Sequence, residues 1–345
     1  MATIKQVAQR AKVSVGTVSN VVSGAVPVSS RLRKRVLAAI RELDYHPNQI
    51  ARSLKTRQTK MLGMVIPDIT NPFFPQAVRG AEDAASEHGY LLVTFNTDDH
   101  VERERKVLSQ LRSRRFDGGL LVLAPNSGDF SHVENTLAAG IPLVCVDRIP
   151  ARLQLDTVMV ENAIGARSAV RHLISMGHRE IGVLAGPATL ANAHERLEGY
   201  KQALAEANLP VRPELIRQGD FRIESGHALG RELLTAPKRP TALFVCNGMM
   251  ALGMLRALEE LGLRCPEDLA LAVFDDLQLA SALRPHLTSV VQPVYQIGYK
   301  GASMLIARVE GTLQDPAPVK VRLATELKIR ESSLGYKWRE QPVVA

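Results

Sequence analysis

The 345-residue chain is 46% hydrophobic and 23% charged, a composition typical of a globular protein, and its length predicts two or three domains. It has no run of about 18 apolar residues and its start, MATIKQVAQR, lacks the apolar stretch of a secretory signal, so we expect neither a membrane span nor secretion. Its cysteines are odd in number and lack metal-ligand spacing, which argues against a disulfide framework or a metal site and favours reduced thiols in the cytoplasm: Cys145, Cys246 and Cys265.

The positive charge of the chain is concentrated at its beginning. Residues 1–60 contain 12 Lys and Arg but only 2 Asp and Glu, whereas the other 285 residues contain 31 and 33. The net charge of +8 therefore arises entirely from the first sixth of the sequence. A polyanionic partner for this segment is the simplest explanation.

The first elements are two short helices joined by a tight turn within residues 4–24. Apolar residues recur at helical spacing in each of them, with Thr3 and Ser14 placed to cap their starts. The stripes are formed by Ile4, Val7, Ala8 and Ala11, and by Val18, Val21 and Val22. This pattern is typical of a helix-turn-helix motif, although any small helical hairpin has such stripes, and the charge of the segment favours DNA binding.

A third helix is predicted from Ser29, and a fourth, shorter one after Pro47. The apolar positions of the third helix close a small core: Leu32, Val36, Ile40 and Leu43. The cluster Arg31, Arg33, Lys34 and Arg35 at its start fits either a DNA phosphate or a solvated basic face. The segment 48–55 is too short to be stable alone, so it is either a linker or a helix that folds on a partner. In the second case Arg52 and Lys55 contact phosphates and Leu54 enters the minor groove.

From Met61 onward the pattern changes to buried strands that alternate with amphipathic helices. Strands are predicted at 61–67, 90–95, 118–124, 142–147, 180–185, 241–246 and 269–274, with helices between them. This alternation predicts an α/β class with two tandem, doubly wound parallel sheets that form two lobes. The default ligand site of such an architecture is a cleft at the carboxyl ends of the strands.

Several motifs in this order resemble the lactose/galactose repressor family of bacterial transcription regulators over nearly the full length. They include TIKQVAQRAKVSVGTVSNVVSG (3–24), YHPNQIARSLKT (45–56), IPDITNPFF (66–74), GIPLVCVDR (140–148), ERLEGYKQAL (195–204) and FDD (274–276). The resemblance implies a helix-turn-helix domain at 1–60 with a hinge helix at 48–55, followed by a periplasmic-binding-protein-like core. The core lobes are expected at 61–160 plus 293–320 and at 161–292 plus 321–345.

The resemblance also implies a homodimer that reads a pseudo-palindromic operator. Base-reading positions of the family match Val15, Gly16 and Asn20, and phosphate-contacting positions match Ser14 and Thr17. Gly16 offers no side chain and Val15 only an apolar contact, so discrimination is expected to depend on Asn20, on DNA shape and on the hinge. The C-terminal tail has no heptad repeat, which argues against a tetramer.

Seven residues match effector-contacting positions of the family: Phe73, Phe74, Asn192, Arg196, Phe221, Asn247 and Asp275. A charged pair across an aromatic slot suits a sugar ring, although Asp275 could instead cap the following helix and Arg196 could pair with Glu195 or Glu198. Two positions depart from the family pattern. Leu190 replaces a polar effector contact of purine-responsive members, and Gly248 replaces an Asp that would cap a helix.

The sequence therefore predicts a DNA-binding repressor whose operator affinity is controlled by a small molecule, with a sugar or sugar derivative favoured over a purine. A solute-binding protein without DNA function is the alternative from another class, which the basic residues 1–60 disfavour. An enzyme is not expected, because the sequence contains no phosphate-binding glycine loop after a strand, no HExxH and no GxSxG. No cofactor or metal is predicted.

The proposed wedge at Leu54 can be tested by shortening its side chain. Leu54→Ala is expected to weaken specific operator binding by about 2–3 kcal/mol, because an apolar wedge that unstacks a base step needs the full side chain. Gel shift on a palindromic duplex measures the affinity, and sedimentation checks that dimerisation is retained. Unchanged operator affinity would contradict the wedge role.

Overall fold

The computed structural model describes residues 2–23, 26–45, 58–125, 128–149, 153–277 and 284–335. The chain divides into two compact units, Met1–Thr59 and Lys60–Ala345. The hinge segment proposed at 48–55 and most of the C-terminal tail lie outside the described residues. Within the described part of the chain, no helix combines the length and the apolar character needed to cross a membrane.

The first unit contains three helices, α1 (Ile4–Ala11), α2 (Val15–Ser23) and α3 (Ser30–Glu42). Thr3 caps α1 through a reciprocal pair of bonds, in which Gln6 N donates to Thr3 Oγ1 and Thr3 N donates to Gln6 Oε1. The helices share one small core of Val7, Ala8, Ala11, Val18, Val36 and Ala39. Of the four residues predicted to close this core, Val36 is buried in it and Ile40 and Leu43 pack against it, whereas Leu32 is half-buried and is not part of it.

Arg35 connects α3 to the end of α1. Its Nη2 donates to Ala11 O at 2.6 Å and to Lys12 O at 3.2 Å, and so satisfies carbonyl groups that a helix end leaves without partners. One member of the predicted basic cluster therefore has a structural role. Arg31, Arg33 and Lys34 are exposed, and both explanations of their charge remain open for these three.

In the second unit, the first sheet has six strands in the order β11-β5-β4-β3-β1-β2, and every pairing is parallel. Helices α4 (Phe73–Glu87), α5 (Val101–Ser113), α6 (Ser131–Ala138) and α11 (Val294–Val309) accompany it. The strands are β1 (Met61–Ile66), β2 (Leu91–Asn96), β3 (Gly118–Leu121), β4 (Leu143–Val146), β5 (Asp156–Val160) and β11 (Lys320–Leu323).

The second sheet also has six strands, in the order β12-β10-β9-β8-β6-β7, and only the edge strand β12 is antiparallel to its neighbour. Its helices are α7 (Asn162–Ser175), α8 (Ala191–Glu206), α9 (Ile223–Thr235) and α10 (Gly248–Glu260). The strands are β6 (Ile181–Ala185), β7 (Ile216–Gln218), β8 (Ala242–Val245), β9 (Ala270–Phe274), β10 (Thr288–Val291) and β12 (Glu326–Lys328). The predicted α/β class with two parallel sheets is confirmed.

The chain passes between the sheets after β5, after β10 and after β11. The expected transfer to the second lobe at residue 321 is placed too early, because β11 still pairs with β5 in the first sheet, with Val321 opposite Val158. The half-buried side chains of Val321 and Leu323 pack against the core, which keeps this strand in the first sheet. The strand at Asp156–Val160 was not predicted, although all five residues are buried.

Helices α4 and α11 approach each other closely at two glycines. A Cβ atom on Gly298 would lie 1.8 Å from Ala77 O, and one on Gly80 would lie 2.0 Å from Tyr295 O. Because the obstructing atoms belong to the backbone, a rotamer change cannot relieve the overlap. This contact joins the helix that begins with Phe73 to the helix that follows the second crossing, so it fixes one wall of the cleft.

Gly298→Ala is therefore expected to reduce the free energy of unfolding by about 3 kcal/mol, at the upper end of the usual cost of overpacking. Urea unfolding followed by circular dichroism measures the change. Lys300→Ala, at an exposed position two residues further along α11, is the matched control and should have an effect below about 0.5 kcal/mol. Equal stabilities of the two variants would contradict the close helix contact.

Candidate functional site

The carboxyl ends of the parallel strands in the two sheets face a common cleft in the second unit. Phe73 and Phe74 begin α4 after β1, and Asn192 and Arg196 lie in the first half of α8 after β6. Phe221, Asn247 and Asp275 follow β7, β8 and β9, respectively. All seven predicted residues line one cavity of about 20 Å³, which has room for a water molecule but not for a sugar ring.

Arg196 is the most completely bonded side chain of the cleft. Its Nε donates to Asn162 Oδ1 at 2.9 Å and its Nη1 donates to Cys246 O at 2.8 Å. The guanidinium carbon lies 3.8 Å from the centre of the Phe274 ring, and the side chain is 3% exposed. These contacts satisfy a buried cation and hold it in one orientation.

The alternative that Arg196 pairs with neighbouring glutamates on the helix surface is wrong. Its carboxylate neighbour is Asp147 on the other lobe, with 3.9 Å between Nη2 and Oδ1. The glutamates have other partners, since Glu195 binds Arg322 at 2.6 Å and Glu198 binds Lys201 at 2.7 Å.

Asp275 follows β9 and lies on the same lobe as Arg196. Its Oδ2 accepts a hydrogen bond from Gly248 N at 3.3 Å, and its Oδ1 accepts one from Gln292 Nε2. Burial raises the pKa of this carboxyl, and the Arg196 guanidinium opposes that rise. The alternative that Asp275 caps a following helix concerns residues 278–283, which are outside the described part of the chain.

Three cleft residues have a left-handed backbone, which is uncommon for residues other than glycine. Asp147 has φ 61°, Phe221 has φ 70° and Asp275 has φ 86°. Such conformations cost free energy and persist where the surrounding contacts enforce them, a pattern that is frequent at ligand sites. The backbone here directs each side chain into the same small volume.

The cavity is also lined by Asp147, Arg148 and Gln292, for which no role was predicted. Asn192 Nδ2 donates to the Asp147 carboxylate at 3.3 Å, and Arg148 Nη1 donates to Asp99 at 2.5 Å. Among the described residues, the buried atoms Arg148 Nε and Gln292 Oε1 have no hydrogen-bond partner. The sequence feature that could have identified Asp147 and Arg148 is their position as a charged pair directly after the buried strand β4.

The expectation that Gly248, in place of an Asp, leaves the following helix without a cap is wrong. Asn247 Oδ1 accepts a bond from Met250 N at 3.0 Å and so caps α10, while Asn247 Nδ2 donates to Phe221 O at 2.9 Å. A carboxylate at position 248 is therefore not required for capping. The space beside Gly248 is filled by Leu277, whose Cγ would lie 2.7 Å from an added Cβ.

In the first unit, the predicted DNA-contacting residues lie together at the start of α2. Ser14, Val15 and Gly16 are exposed, and Thr17 and Asn20 are half-exposed. Thr17 N donates to Ser14 Oγ at 3.1 Å, so Ser14 caps α2. The other predicted contacts, Arg52, Leu54 and Lys55, lie outside the described residues.

The described residues contain no group of three His, Cys, Asp or Glu side chains placed to hold a metal ion. The three cysteines are free thiols; Cys145 is buried in β4, and Cys246 is buried directly after β8. Burial raises the pKa of the Cys246 thiol to about 12, so it remains protonated and acts as a small apolar side chain.

Comparison with known proteins supplies a second line of evidence. Residues 3–48 match the family model of bacterial regulatory proteins of the lacI family, and residues 170–333 match a periplasmic binding protein-like domain. The chain is 36% identical over 310 residues to the ribose operon repressor of Haemophilus influenzae, covering 90% of this chain and 92% of that protein. It is 37% identical over 324 residues to the transcriptional repressor PurR of Proteus mirabilis, covering 93% and 94%.

Among solved structures, the lac repressor dimer bound to operator and the anti-inducer ONPF is similar to this chain. The TM-score is 0.85 at 29% identity, and the match covers 97% of this chain and 99% of the other. The likeness therefore spans both units.

The contact between Gly248 and Leu277 predicts that Gly248→Ala lowers the stability of the protein when Leu277 is present and raises it when Leu277 is shortened. Gly248→Ala alone should destabilise the protein by about 1 kcal/mol, because the new methyl group overlaps Leu277. In a Leu277→Ala background the same substitution should stabilise it by about 0.5–1 kcal/mol, since Ala is the better helix residue. Chemical unfolding of the four proteins measures both effects. An equal cost of Gly248→Ala in both backgrounds would be inconsistent with the packing described.

Proposed function

The chain belongs to the lacI family of bacterial regulatory proteins, and on that premise we propose that it is a transcriptional repressor whose operator affinity is set by a neutral sugar bound in the cleft. The proposal assigns residues 1–60 to DNA binding, with 48–55 as the hinge. The two core lobes meet at the cleft and exchange chain near residues 160, 292 and 324. We propose that the protein acts as a homodimer on a pseudo-palindromic site.

The observation that carries the sugar assignment is the combination of paired carboxylates with aromatic walls. Asp147 and Asp275 both lie beside Arg196, and the negative charge of Asp147 contributes to the raised pKa of Asp275. Hydroxyl groups placed between two carboxylates would donate a hydrogen bond to each and relieve their repulsion. The rings of Phe73, Phe74 and Phe221 offer apolar faces for the C–H groups of a sugar.

The same carboxylates disfavour a sugar phosphate, because a second anion would add to their repulsion. Arg196 already donates to Asn162 and Cys246 O, and Arg148 Nη1 already donates to Asp99. A purine is disfavoured by Leu190, a buried apolar side chain at the start of α8 that cannot hydrogen-bond. A neutral monosaccharide is therefore the ligand class that we assign, and ribose is the first to test because a ribose operon repressor is among the relatives.

A sugar in contact with all seven predicted residues requires the lobes to separate, because the cavity that they line together has a volume of about 20 Å³, and the adjoining cavity of about 290 Å³ includes only Phe73 and Asp275 of them. A ligand shifts an equilibrium only through its different affinities for the two states, so sugar and operator affinities must be linked reciprocally. We propose a regulator without catalytic function that acts in the cytoplasm, where its DNA target is found.

The proposal is tested with the full-length protein, ribose and a labelled duplex selected by the protein from a random pool. Calorimetry is expected to show saturable ribose binding, and gel shift a different operator affinity with and without the sugar. Adenine and ribose 5-phosphate are the comparison ligands. Binding of adenine in place of ribose would replace the sugar assignment by the purine one, and DNA binding that is insensitive to all ligands would contradict regulation.

Asp275→Ala is expected to lower ribose affinity at least about 100-fold and to abolish the sugar's effect on operator binding, because a charge-assisted acceptor is lost. Operator affinity without sugar should be unchanged, since the site lies outside the DNA-binding unit. Glu232→Ala removes an exposed carboxylate of the second lobe that pairs with Arg217, and it is the matched control with normal sugar response. A fully responsive Asp275→Ala protein would remove this carboxylate from the site.

A further inference from the structure

A chain of polar contacts leads from the first sheet to the buried guanidinium of Arg196. Arg322 on β11 donates to both oxygens of Glu195 on α8, with Nη2 to Oε1 at 2.6 Å and Nη1 to Oε2 at 3.1 Å. Glu195 Oε2 also accepts from Asn162 Nδ2 at 3.1 Å. Asn162 Oδ1 in turn accepts from Arg196 Nε at 2.9 Å. Four side chains thus connect the edge of one lobe to the cleft surface of the other.

Glu195 is one of three groups that set which way the Asn162 amide points, because Asn162 Nδ2 also donates to Val160 O at 3.3 Å and Arg196 Nε donates to the amide oxygen. An ionised carboxylate only accepts hydrogen bonds, so the NH₂ group of Asn162 must face it and the amide oxygen must face Arg196. If the amide turned over, its NH₂ group would face the Arg196 N–H, and two donors would oppose each other in a buried place. Asn162 is 1% exposed, so water cannot readily substitute for the lost partner.

The location of the contacts links them to movement of the lobes. Asn162 is the first residue of α7, directly after the first crossing, and Arg322 lies just before the last crossing. The two crossing segments are joined by a backbone hydrogen bond from Glu161 N to Leu323 O at 2.9 Å. Arg322 therefore approaches Glu195 from the other lobe, so the geometry of this pair depends on the angle between the lobes.

We propose that Glu195 and Arg322 are positioning residues for the sugar site, which orient Arg196 through Asn162 and make its orientation depend on the angle between the lobes. This inference rests on the proposed function for its ligand. A fixed guanidinium contributes more to binding than a mobile one, because its ordering does not have to be supplied when the ligand arrives. The Arg322 pKa is raised chiefly by its hydrogen bonds to Glu195, in agreement with a closely bonded pair.

An ordinary ion pair at the surface contributes little to stability, and the chain contains one that can serve as the control for the pair of Arg322 and Glu195. Arg167 on α7 binds Glu206 on α8 at 3.1 Å, and both side chains are partly exposed, as are Arg322 and Glu195. The matched pair joins two helices of the same lobe and does not contact the cleft residues. Arg167→Met therefore removes a comparable ion pair without the connection to Asn162.

The first test measures ribose affinity of full-length variants by calorimetry. Glu195→Gln and Arg322→Met are each expected to weaken ribose binding by about tenfold, the typical effect of losing a group that orients a ligand-binding side chain. Arg167→Met should change it less than twofold. In an Asn162→Ala background, Glu195→Gln should have no further effect, because the group that transmits it has been removed. Equal losses in both backgrounds would overturn the proposal.

A second readout does not depend on any sugar. In protein labelled with ¹⁵N-arginine, the Nε–H resonance of Arg196 is assigned by its loss in Arg196→Lys and should shift in Glu195→Gln and Arg322→Met but not in Arg167→Met. An unmoved resonance in the first two variants would overturn the positioning role. A shifted resonance in a protein that binds no ribose would uphold the positioning role and reject only the sugar assignment. Unfolding in urea should give similar stabilities for Arg322→Met and Arg167→Met.

Discussion

The cleft depends on the burial of one cation. A guanidinium removed from water has a large desolvation cost unless its donors are satisfied, and Arg196 meets this condition with Asn162, Cys246 O and the face of Phe274. Cys246 and Phe274 lie at strand ends of the second lobe, and Asn162 lies at the first crossing. The carboxylate neighbour, Asp147, comes from the first lobe. The site is therefore assembled only when both sheets and the first crossing are in place.

The three crossings of the chain between the lobes explain why a structural change in the cleft affects both lobes of the core. Each lobe contains strands that arrive from the other, and β11 is hydrogen-bonded along its length to β5, the strand that leads into Asn162. The close backbone contact of α4 and α11 at Gly80 and Gly298 makes the first lobe stiff on the side that carries Phe73 and Phe74. Packed elements of this kind move as rigid bodies, so a change in the angle between the lobes takes place in the three crossing segments.

Much of the fold is accessible from the sequence because parallel strands buried on both faces are nearly continuous apolar runs. Seven of the strands were predicted in this way, although β2 lies at the edge of its sheet and is exposed or half-buried along most of its length. Asp156–Val160 escaped because its first residue is a carboxylate, whose buried position is explained by Arg308, with 2.7 Å between Nε and Oδ2. The seven cleft residues came from the family resemblance. Three residues of the cavity were missed because polar residues are common after strands: Asp147, Arg148 and Gln292. Only the folded structure, in which the strand ends converge, distinguishes them from other polar residues at such positions.

The distribution of charge along the chain limits the ways in which a ligand in the cleft can affect DNA binding. The basic excess lies in residues 1–60, and the remainder of the chain is close to neutral, so the attraction to DNA is local to one unit. A neutral ligand in the cleft leaves that attraction unchanged, and long-range electrostatics cannot carry a signal from it. In the proposed regulation its effect on DNA binding is therefore mechanical, through the angle between the lobes. A ligand that bound both angles equally well would have no effect, however tightly it bound. Under the proposed function, cleft residues drawn from both lobes, such as Asp147 and Arg196, would supply the difference in affinity, because their separation depends on the angle.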